Sequence, residues 1–172
     1  MPIVIQHYGF TEHFLKAMDI SFMNRKTILV AEDNPDDAFL LKRAFAQAGI
    51  NVRLDFVQDG EEVIHYLKGE NGYADREAHP FPVLLLLDLK MPRLDGFDVL
   101  HWLRQQSGGP KRLLVTVLTS SDQPSDVDRA YDLGANSYLI KPSVSESLVE
   151  IAQRIQNYWF KINHPPDCSK RT

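Results

Sequence analysis

A short apolar run that stops on an acid constrains this chain more than any other feature. Val83–Leu87 is entirely aliphatic, a proline precedes it, and Asp88 follows it directly. Such a run between turn residues is typical of a central strand in a parallel sheet, which is covered on both faces. Asp88 then lies at the carboxyl edge of the sheet, where open parallel sheets bind their ligands. The alternative is that Asp88 only caps a turn.

Strand and helix patterns alternate along the rest of the chain. Four further strands are predicted at Thr27–Ala31, Asn51–Val57, Leu113–Leu118 and Ser137–Ile140. A helical pattern follows each strand, and the first four helices open near a residue that can cap them, namely Asn34, Asp59, Asp95 and Asp122. This order predicts an α/β fold with right-handed crossovers. The flavodoxin-like (βα)5 arrangement fits it: a doubly wound, parallel, five-stranded sheet with the order 2-1-3-4-5.

Other acids near these strands have a structural explanation. Asn34 before Pro35 is typical of an N-cap followed by proline at the first helical position. Asp36 and Asp37 then fall in the first turn, where the helix dipole favours acids, so we interpret both as helix-stabilising.

The length predicts one domain at residues 26–160, with an N-terminal extension at 1–25 and a polar tail at 161–172. For the extension three interpretations remain: a docking helix, a disordered appendage, or residues upstream of a true start at Met23. A polar loop, Gly69–Pro82, is too long for a tight connection.

Composition excludes several classes of protein. The formal net charge of −4 does not indicate the basic surface that nucleic-acid-binding proteins carry. No apolar stretch approaches the roughly 18 residues of a membrane span. The only cysteine, Cys168, lies in the polar tail and excludes an internal disulfide. We therefore expect a cytoplasmic protein that binds neither nucleic acid nor membrane.

The ends of the predicted strands carry the candidate site. They place at one sheet edge the residues Glu32, Asp33, Asp88, Thr119 and Lys141. Carboxylates a few ångströms apart repel by about 4 kcal/mol per pair at an effective dielectric constant near 20, and a bound dication reverses that cost. Oxygen-only ligands select a hard cation, and Mg²⁺ fits best. With an aspartate, a lysine and a hydroxyl, the site has the parts for phosphoryl transfer onto Asp88.

These residues resemble a known family. Glu32-Asp33, the segment Leu87–Gly96 around Asp88, Thr119-Ser120, Tyr138 and Lys141-Pro142 together look like the receiver domain of two-component response regulators. The resemblance covers roughly Thr27–Phe160. More narrowly, Gly69–Pro82 and the terminal Tyr158-Trp159-Phe160 resemble the small stand-alone regulators that partner phytochrome-type histidine kinases.

The resemblance implies roles for individual residues. Asp88 would accept a phosphoryl group from a phosphohistidine on a sensor histidine kinase. Asp33 and the backbone carbonyl of Lys90 would help to bind Mg²⁺, with Glu32 acting partly through water. Glu32 stands where aspartate is commoner, which implies a slightly altered metal geometry.

Three more residues are assigned by the same resemblance. Thr119 would hydrogen-bond a phosphoryl oxygen and Lys141 would pair with it. Tyr138 would be a rotameric switch coupled to Thr119; the alternative for Tyr138 is simple packing.

Two other functions compete with a phosphoacceptor that switches protein contacts. A phosphohydrolase with an aspartyl-phosphate intermediate would want a second acid two residues after Asp88, where Lys90 stands. A flavodoxin-like cofactor carrier would need a phosphate-cradling loop after the first strand, where the acids of residues 32–37 would repel phosphate. The adjacent aromatics Tyr158, Trp159 and Phe160 cannot all face one core, so together with the last helix they suggest a homodimer or kinase contact.

Overall fold

A five-stranded parallel sheet forms the centre of the structure. The computed structural model describes residues 26–143, 145–166 and 168, so the predicted extension at 1–25 lies outside the described residues. The strands are β1 (Thr27–Ala31), β2 (Arg53–Val57), β3 (Leu84–Leu87), β4 (Leu114–Thr119) and β5 (Ser137–Ile140). Their order is β2-β1-β3-β4-β5, with every neighbouring pair parallel. The predicted fold class and strand order are confirmed.

Helices connect the strands in the predicted alternation. They are α1 (Pro35–Gln47), α2 (Gly60–Lys68), α3 (Gly96–Gln105), α4 (Gly108–Arg112), α5 (Pro124–Asp132) and α6 (Ser145–Ile155), and a π-helical segment (Gln156–Ile162) continues α6. The short α4 was not predicted, because its glycines and proline indicated only a turn. Proline is tolerated there because it lies in the first turn of that helix. No helix in the described part of the chain has the length and apolar character needed to cross a bilayer.

Three of the four predicted caps are confirmed. The side chains of Asn34, Asp59 and Asp95 accept backbone N–H groups in the first turns of α1, α2 and α3. The prediction for Asp122 was wrong, because α5 begins one residue later: Gln123 is its N-cap and makes no side-chain capping bond.

The last helix also differs from its prediction. We expected one helix over Ser145–Phe160, whereas the α-helical part ends at Ile155 and wider π-helical turns follow to Ile162. Trp159 and Phe160 pack against the core, while Tyr158 stays 53 % exposed. The three adjacent aromatics therefore do not share one face, as the sequence predicted.

The core lies on both faces of the sheet, and β3 separates its two halves. Leu85 and Leu87 belong to one apolar cluster, and Leu84 and Leu86 belong to the other. All four leucines are buried. The prediction of a central strand covered on both faces is confirmed, and Asp88 therefore lies at the carboxyl end of a fully buried strand.

The long loop between α2 and β3 is tied to edge strand β2. The guanidinium of Arg76 donates to the backbone carbonyls of Tyr66 and Leu67 near the end of α2, at 2.8 and 2.9 Å. The buried hydroxyl of Tyr66 donates to Asp55 Oδ2 at 2.7 Å and lies 2.9 Å from the carbonyl oxygen of Pro80. These hydrogen bonds therefore hold the loop against the β2 edge of the sheet.

We expect the substitution Tyr66→Phe to destabilise the protein by about 1–2 kcal/mol, because it leaves the Asp55 carboxylate and the Pro80 carbonyl without their shared donor. Urea unfolding measures this change. Tyr131→Phe is the matched control, since Tyr131 is 50 % exposed on α5. Equal unfolding free energies for the two variants would contradict this role of the hydroxyl.

Candidate functional site

Three carboxylates meet at the carboxyl edge of the sheet. Glu32 and Asp33 follow β1 directly, and Asp88 follows β3. The neighbouring strands are in register there, since Ala31 pairs with Leu87 and the Asp88 N–H donates to the Ala31 carbonyl at 3.0 Å. As a result, one oxygen from each carboxylate lies within 4.8 Å of the others. Glu32 and Asp88 are buried, whereas Asp33 is exposed.

Lys141 joins this acidic cluster from the other side. It follows β5, and its backbone N–H donates to the carbonyl of Thr119 at 2.7 Å. Its ammonium group lies 2.6 Å from Glu32 Oε2 and 2.6 Å from Asp88 Oδ2. The five candidate residues were predicted to meet because each lies at the end of a strand. The structure brings together the side chains of four of them, namely Glu32, Asp33, Asp88 and Lys141.

A fourth carboxylate belongs to the site: Asp37 lies in the first turn of α1 as predicted, but the sequence interpretation of it was incomplete. Asp37 Oδ2 lies 3.0 Å from the Lys141 ammonium, so this residue does more than stabilise the first turn of α1. The sequence shows that Asp37 falls in the first turn, but it does not show which side of that turn faces the sheet edge. Asp36 is exposed, and its N–H donates to the capping Asn34.

The ionisation of the site follows from burial and these contacts. Burial raises the pKa of Glu32, although the hydrogen bond and charge of Lys141 oppose that shift. Burial also acts to lower the pKa of Lys141, but its hydrogen bonds to Asp88 and Glu32 outweigh burial and raise the pKa overall. Lys141 is therefore a fixed positive charge at physiological pH.

Two hydrogen bonds link Thr119, Ser121 and Tyr138 on the β4 side of the site. Thr119 is completely buried at the end of β4, and its Oγ1 accepts the N–H of Ser121 at 3.5 Å. The carbonyl of Ser121 accepts the hydroxyl of Tyr138 at 3.0 Å. Burial raises the pKa of Tyr138, so its hydroxyl stays protonated and can donate. Sequence reasoning missed Ser121, which links the two residues by main-chain atoms of a loop.

The loop that follows Asp88 is closely fitted to the site. The N–H of Lys90 donates to Asp88 Oδ1 at 3.2 Å, and the N–H of Gly96 donates to the Leu89 carbonyl at 3.0 Å. A Cβ atom at Gly96 would come within 2.8 Å of the Leu89 Cα, so only glycine fits. The Lys90 side chain is exposed where a phosphohydrolase would need its second acid.

The donor set fits a divalent cation. Glu32, Asp33 and Asp88 offer three carboxylate oxygens, and these are the ligands of hard cations. No histidine or cysteine is part of this cluster. The exposure of Asp33 leaves one side open to solvent, as a site that also accepts a second ligand requires.

Comparison with known proteins now identifies the family. The model of the response regulator receiver domain matches residues 28–153. The chain belongs to the response regulator receiver family. Among curated proteins it is 37 % identical to the probable methanogenesis regulatory protein FilR2 of Methanothrix harundinacea, over 81 % of this chain and 86 % of FilR2. It is 34 % identical to the response regulator Rcp1 of Synechocystis, over 79 % of this chain and 90 % of Rcp1.

Solved structures give the same family. The response regulator RPA3017, described in red light signalling of R. palustris, shares 40 % identity with a TM-score of 0.78, over 82 % of this chain and 98 % of RPA3017. The phosphorylated cyanobacterial phytochrome response regulator RcpA shares 33 % identity with a TM-score of 0.76, and the match covers 83 % of this chain and 99 % of RcpA. The Mn²⁺-bound form of Rcp1 shares 33 % identity with a TM-score of 0.72, and the match covers 82 % of this chain and 99 % of the Rcp1 chain.

Family membership fixes the general chemistry of the acidic edge. This receiver domain is a phosphoacceptor of a two-component system rather than a catalytic enzyme, and its partner class is the histidine kinase. The cluster of Glu32, Asp33 and Asp88 suits a phosphoacceptor site, and its donor set indicates a divalent metal.

We expect Lys141→Met to strengthen Mn²⁺ binding several-fold, because the ammonium contacts two of the three candidate ligands and repels a cation there. Titration of Mn²⁺ followed by electron paramagnetic resonance measures the affinity. Lys161→Met, a change of the same type at an exposed residue of the π-helical segment, is the control. Weaker or unchanged binding in Lys141→Met would contradict this competition.

Proposed function

We propose that Asp88 is the phosphoacceptor and that its donor is a phosphohistidine of a histidine kinase. One observation carries the assignment: of the clustered acids, only Asp88 follows the central strand β3, with Lys141, Glu32 and Asp33 around it. In the transfer an Asp88 oxygen forms a bond to phosphorus, and the P–N bond of the phosphohistidine breaks. The electron pair leaves with the histidine nitrogen, which takes up a proton.

The neighbouring residues divide the remaining tasks. Glu32, Asp33, Asp88 and the backbone carbonyl of Lys90 would hold Mg²⁺, which suits a small all-oxygen site with open positions. When bound, the cation supplies positive charge for the phosphoryl oxygens. Lys141 already contacts Asp88 and would pair with a phosphoryl oxygen, while Thr119 donates its hydroxyl to another.

The phosphorylation signal passes through Thr119 to Tyr138. A phosphoryl group adds about −1.5 to −2 charges, which draws the Thr119 hydroxyl toward it. The Thr119–Ser121–Tyr138 contacts support this coupling, because any movement of Thr119 acts on the loop that holds the Tyr138 hydroxyl. Tyr138 then changes the surface around β5 and α6, and protein contact is the output.

The partner kinase is of the phytochrome type, and the regulator is cytoplasmic. The likeness to RcpA, a phytochrome response regulator, and to RPA3017, of red light signalling, supports the kinase class.

A homodimer forms through the last helix and its aromatics. Tyr158 and Ile162 are 53 % and 67 % exposed, and Tyr158 lines a cavity of about 340 Å³ between β5 and the end of α6. Apolar surface of this kind beside an edge strand supports contact with a second copy.

We expect the wild-type protein to gain one phosphoryl group from acetyl phosphate and Mg²⁺, and Asp88→Asn to gain none. Intact-protein mass spectrometry measures the product, and the same pair is then offered to an autophosphorylated phytochrome-type kinase. Asp95→Asn is the matched control, because asparagine also caps a helix and the fold is kept. Labelling that survives in Asp88→Asn would end the assignment.

For the dimer, we expect Tyr158→Ala to lower the sedimentation coefficient toward that of a monomer at concentrations where the wild-type protein self-associates. Removing an exposed aromatic weakens the contact without opening the core. Phe39→Ala, at a residue 63 % exposed on α1, serves as the control. Identical sedimentation of wild-type and Tyr158→Ala protein at all concentrations argues against this interface.

A further inference from the structure

The loop after Asp88 contains an unusual backbone conformation. Arg93 has a φ of 63°, which places a non-glycine residue in the left-handed region. Such a conformation costs free energy and persists where surrounding contacts enforce it. Arg93 lies between Lys90 and Gly96, the two residues whose N–H groups tie this loop to Asp88 and Leu89. The contacts that hold Arg93 therefore bear on the geometry of the site.

A buried acid on another element holds Arg93. Asp59 is completely buried at the start of α2, and its Oδ1 accepts the N–H of Glu62 at 2.9 Å as the cap of that helix. The Arg93 guanidinium forms an ion pair with the other oxygen, Oδ2. A buried carboxylate without a cation is strongly unfavourable, so this pairing restrains both partners. Arg93 is also 3.5 Å from Glu61 Oε2, which is exposed.

Backbone contacts extend the same attachment. The N–H of Gly60 donates to the Leu94 carbonyl at 3.1 Å. A Cβ atom at Gly60 would come within 2.7 Å of the Leu94 Cβ, so the two segments lie in close contact. The start of α2 thus holds the outer side of the loop at Arg93 and Leu94, while Asp88 and Leu89 hold its inner side.

From this arrangement we propose that the Asp59–Arg93 ion pair positions the 88–96 loop and thereby sets the affinity of the site for a divalent cation. The inference rests on the proposed function, because Asp88 and the Lys90 carbonyl are its metal ligands. Asp59 and Arg93 are positioning residues that touch neither metal nor phosphoryl group. They act by limiting the conformations of the loop before the cation binds, as the outer shell of a metal site does.

The experiment measures Mn²⁺ binding alone, by electron paramagnetic resonance, and the stability of every variant by urea unfolding. We expect Asp59→Asn and Arg93→Gln each to raise the Mn²⁺ dissociation constant about tenfold. Asparagine can still accept the Glu62 N–H, so the cap is retained. Arg93→Gln removes a positive charge, which by electrostatics alone would favour the cation. Weaker binding in that variant therefore reports lost positioning.

Three further variants complete the test. Arg93→Lys should recover most of the affinity, Glu61→Gln should match the wild type, and the double variant Asp59→Asn/Arg93→Gln should bind no more weakly than the weaker single variant. Folded single variants with unchanged affinity would overturn the proposal. So would Arg93→Gly with wild-type affinity, because glycine adopts the left-handed conformation without any ion pair.

The failure of this inference is distinguishable from the failure of the proposed function. Wild-type protein that is labelled at Asp88 while the variants keep their Mn²⁺ affinity overturns only the positioning role. Wild-type protein that binds Mn²⁺ but takes no phosphoryl group from acetyl phosphate overturns only the phosphoacceptor role. Wild-type protein that does not bind Mn²⁺ overturns both.

Discussion

The contact of Lys141 with the carboxylates of Glu32 and Asp88 is the interaction on which the site depends. Two carboxylates about 4 Å apart repel by about 4 kcal/mol at an effective dielectric constant near 20, and burial adds a desolvation cost. An ammonium group 2.6 Å from each acid offsets both effects. The sheet can therefore end two adjacent buried strands on acids. A divalent cation is the alternative partner for the same oxygens, so metal and lysine compete for them.

Most of the fold and the centre of the site could be predicted from the sequence because they rest on short-range patterns. An aliphatic run between turn residues indicates a buried strand, and strands alternating with helices indicate a parallel sheet. In such a sheet, residues that follow different strands meet at one edge. Glu32, Asp33, Asp88 and Lys141, far apart along the chain, could therefore be grouped by topology alone, and the structure brings them together.

The contacts that were missed depend on helix phase, loop geometry or backbone conformation. Asp37 reaches Lys141 because of where the first turn of α1 points, and a pattern of acids near a cap does not reveal that. Ser121 acts through its N–H and carbonyl, which every residue carries. Arg93 has a positive φ that its residue type disfavours. Helical periodicity likewise does not encode the π-helical turns after Ile155, in which Trp159 and Phe160 pack against the core.

The two sides of the site differ in how firmly they are held, and this difference determines which side can respond to a charge at Asp88. The 88–96 loop is closed by the hydrogen bond from the Gly96 N–H to the Leu89 carbonyl. It is attached to the start of α2 by the hydrogen bond of the Gly60 N–H and by the Arg93 ion pair. On the opposite side, Thr119 and Ser121 are joined by a contact of 3.5 Å, near the limit of a hydrogen bond, and the intervening Ser120 is exposed. That one long contact restrains Thr119 less than the ion pair and backbone hydrogen bonds restrain the 88–96 loop, while the Ser121 Oγ donates to Asp126 Oδ2 at 2.6 Å and keeps Ser121 attached to α5. New negative charge at Asp88 is therefore expected to move the β4–α5 loop and, with it, the Ser121 carbonyl that accepts the Tyr138 hydroxyl, while the 88–96 loop stays in place.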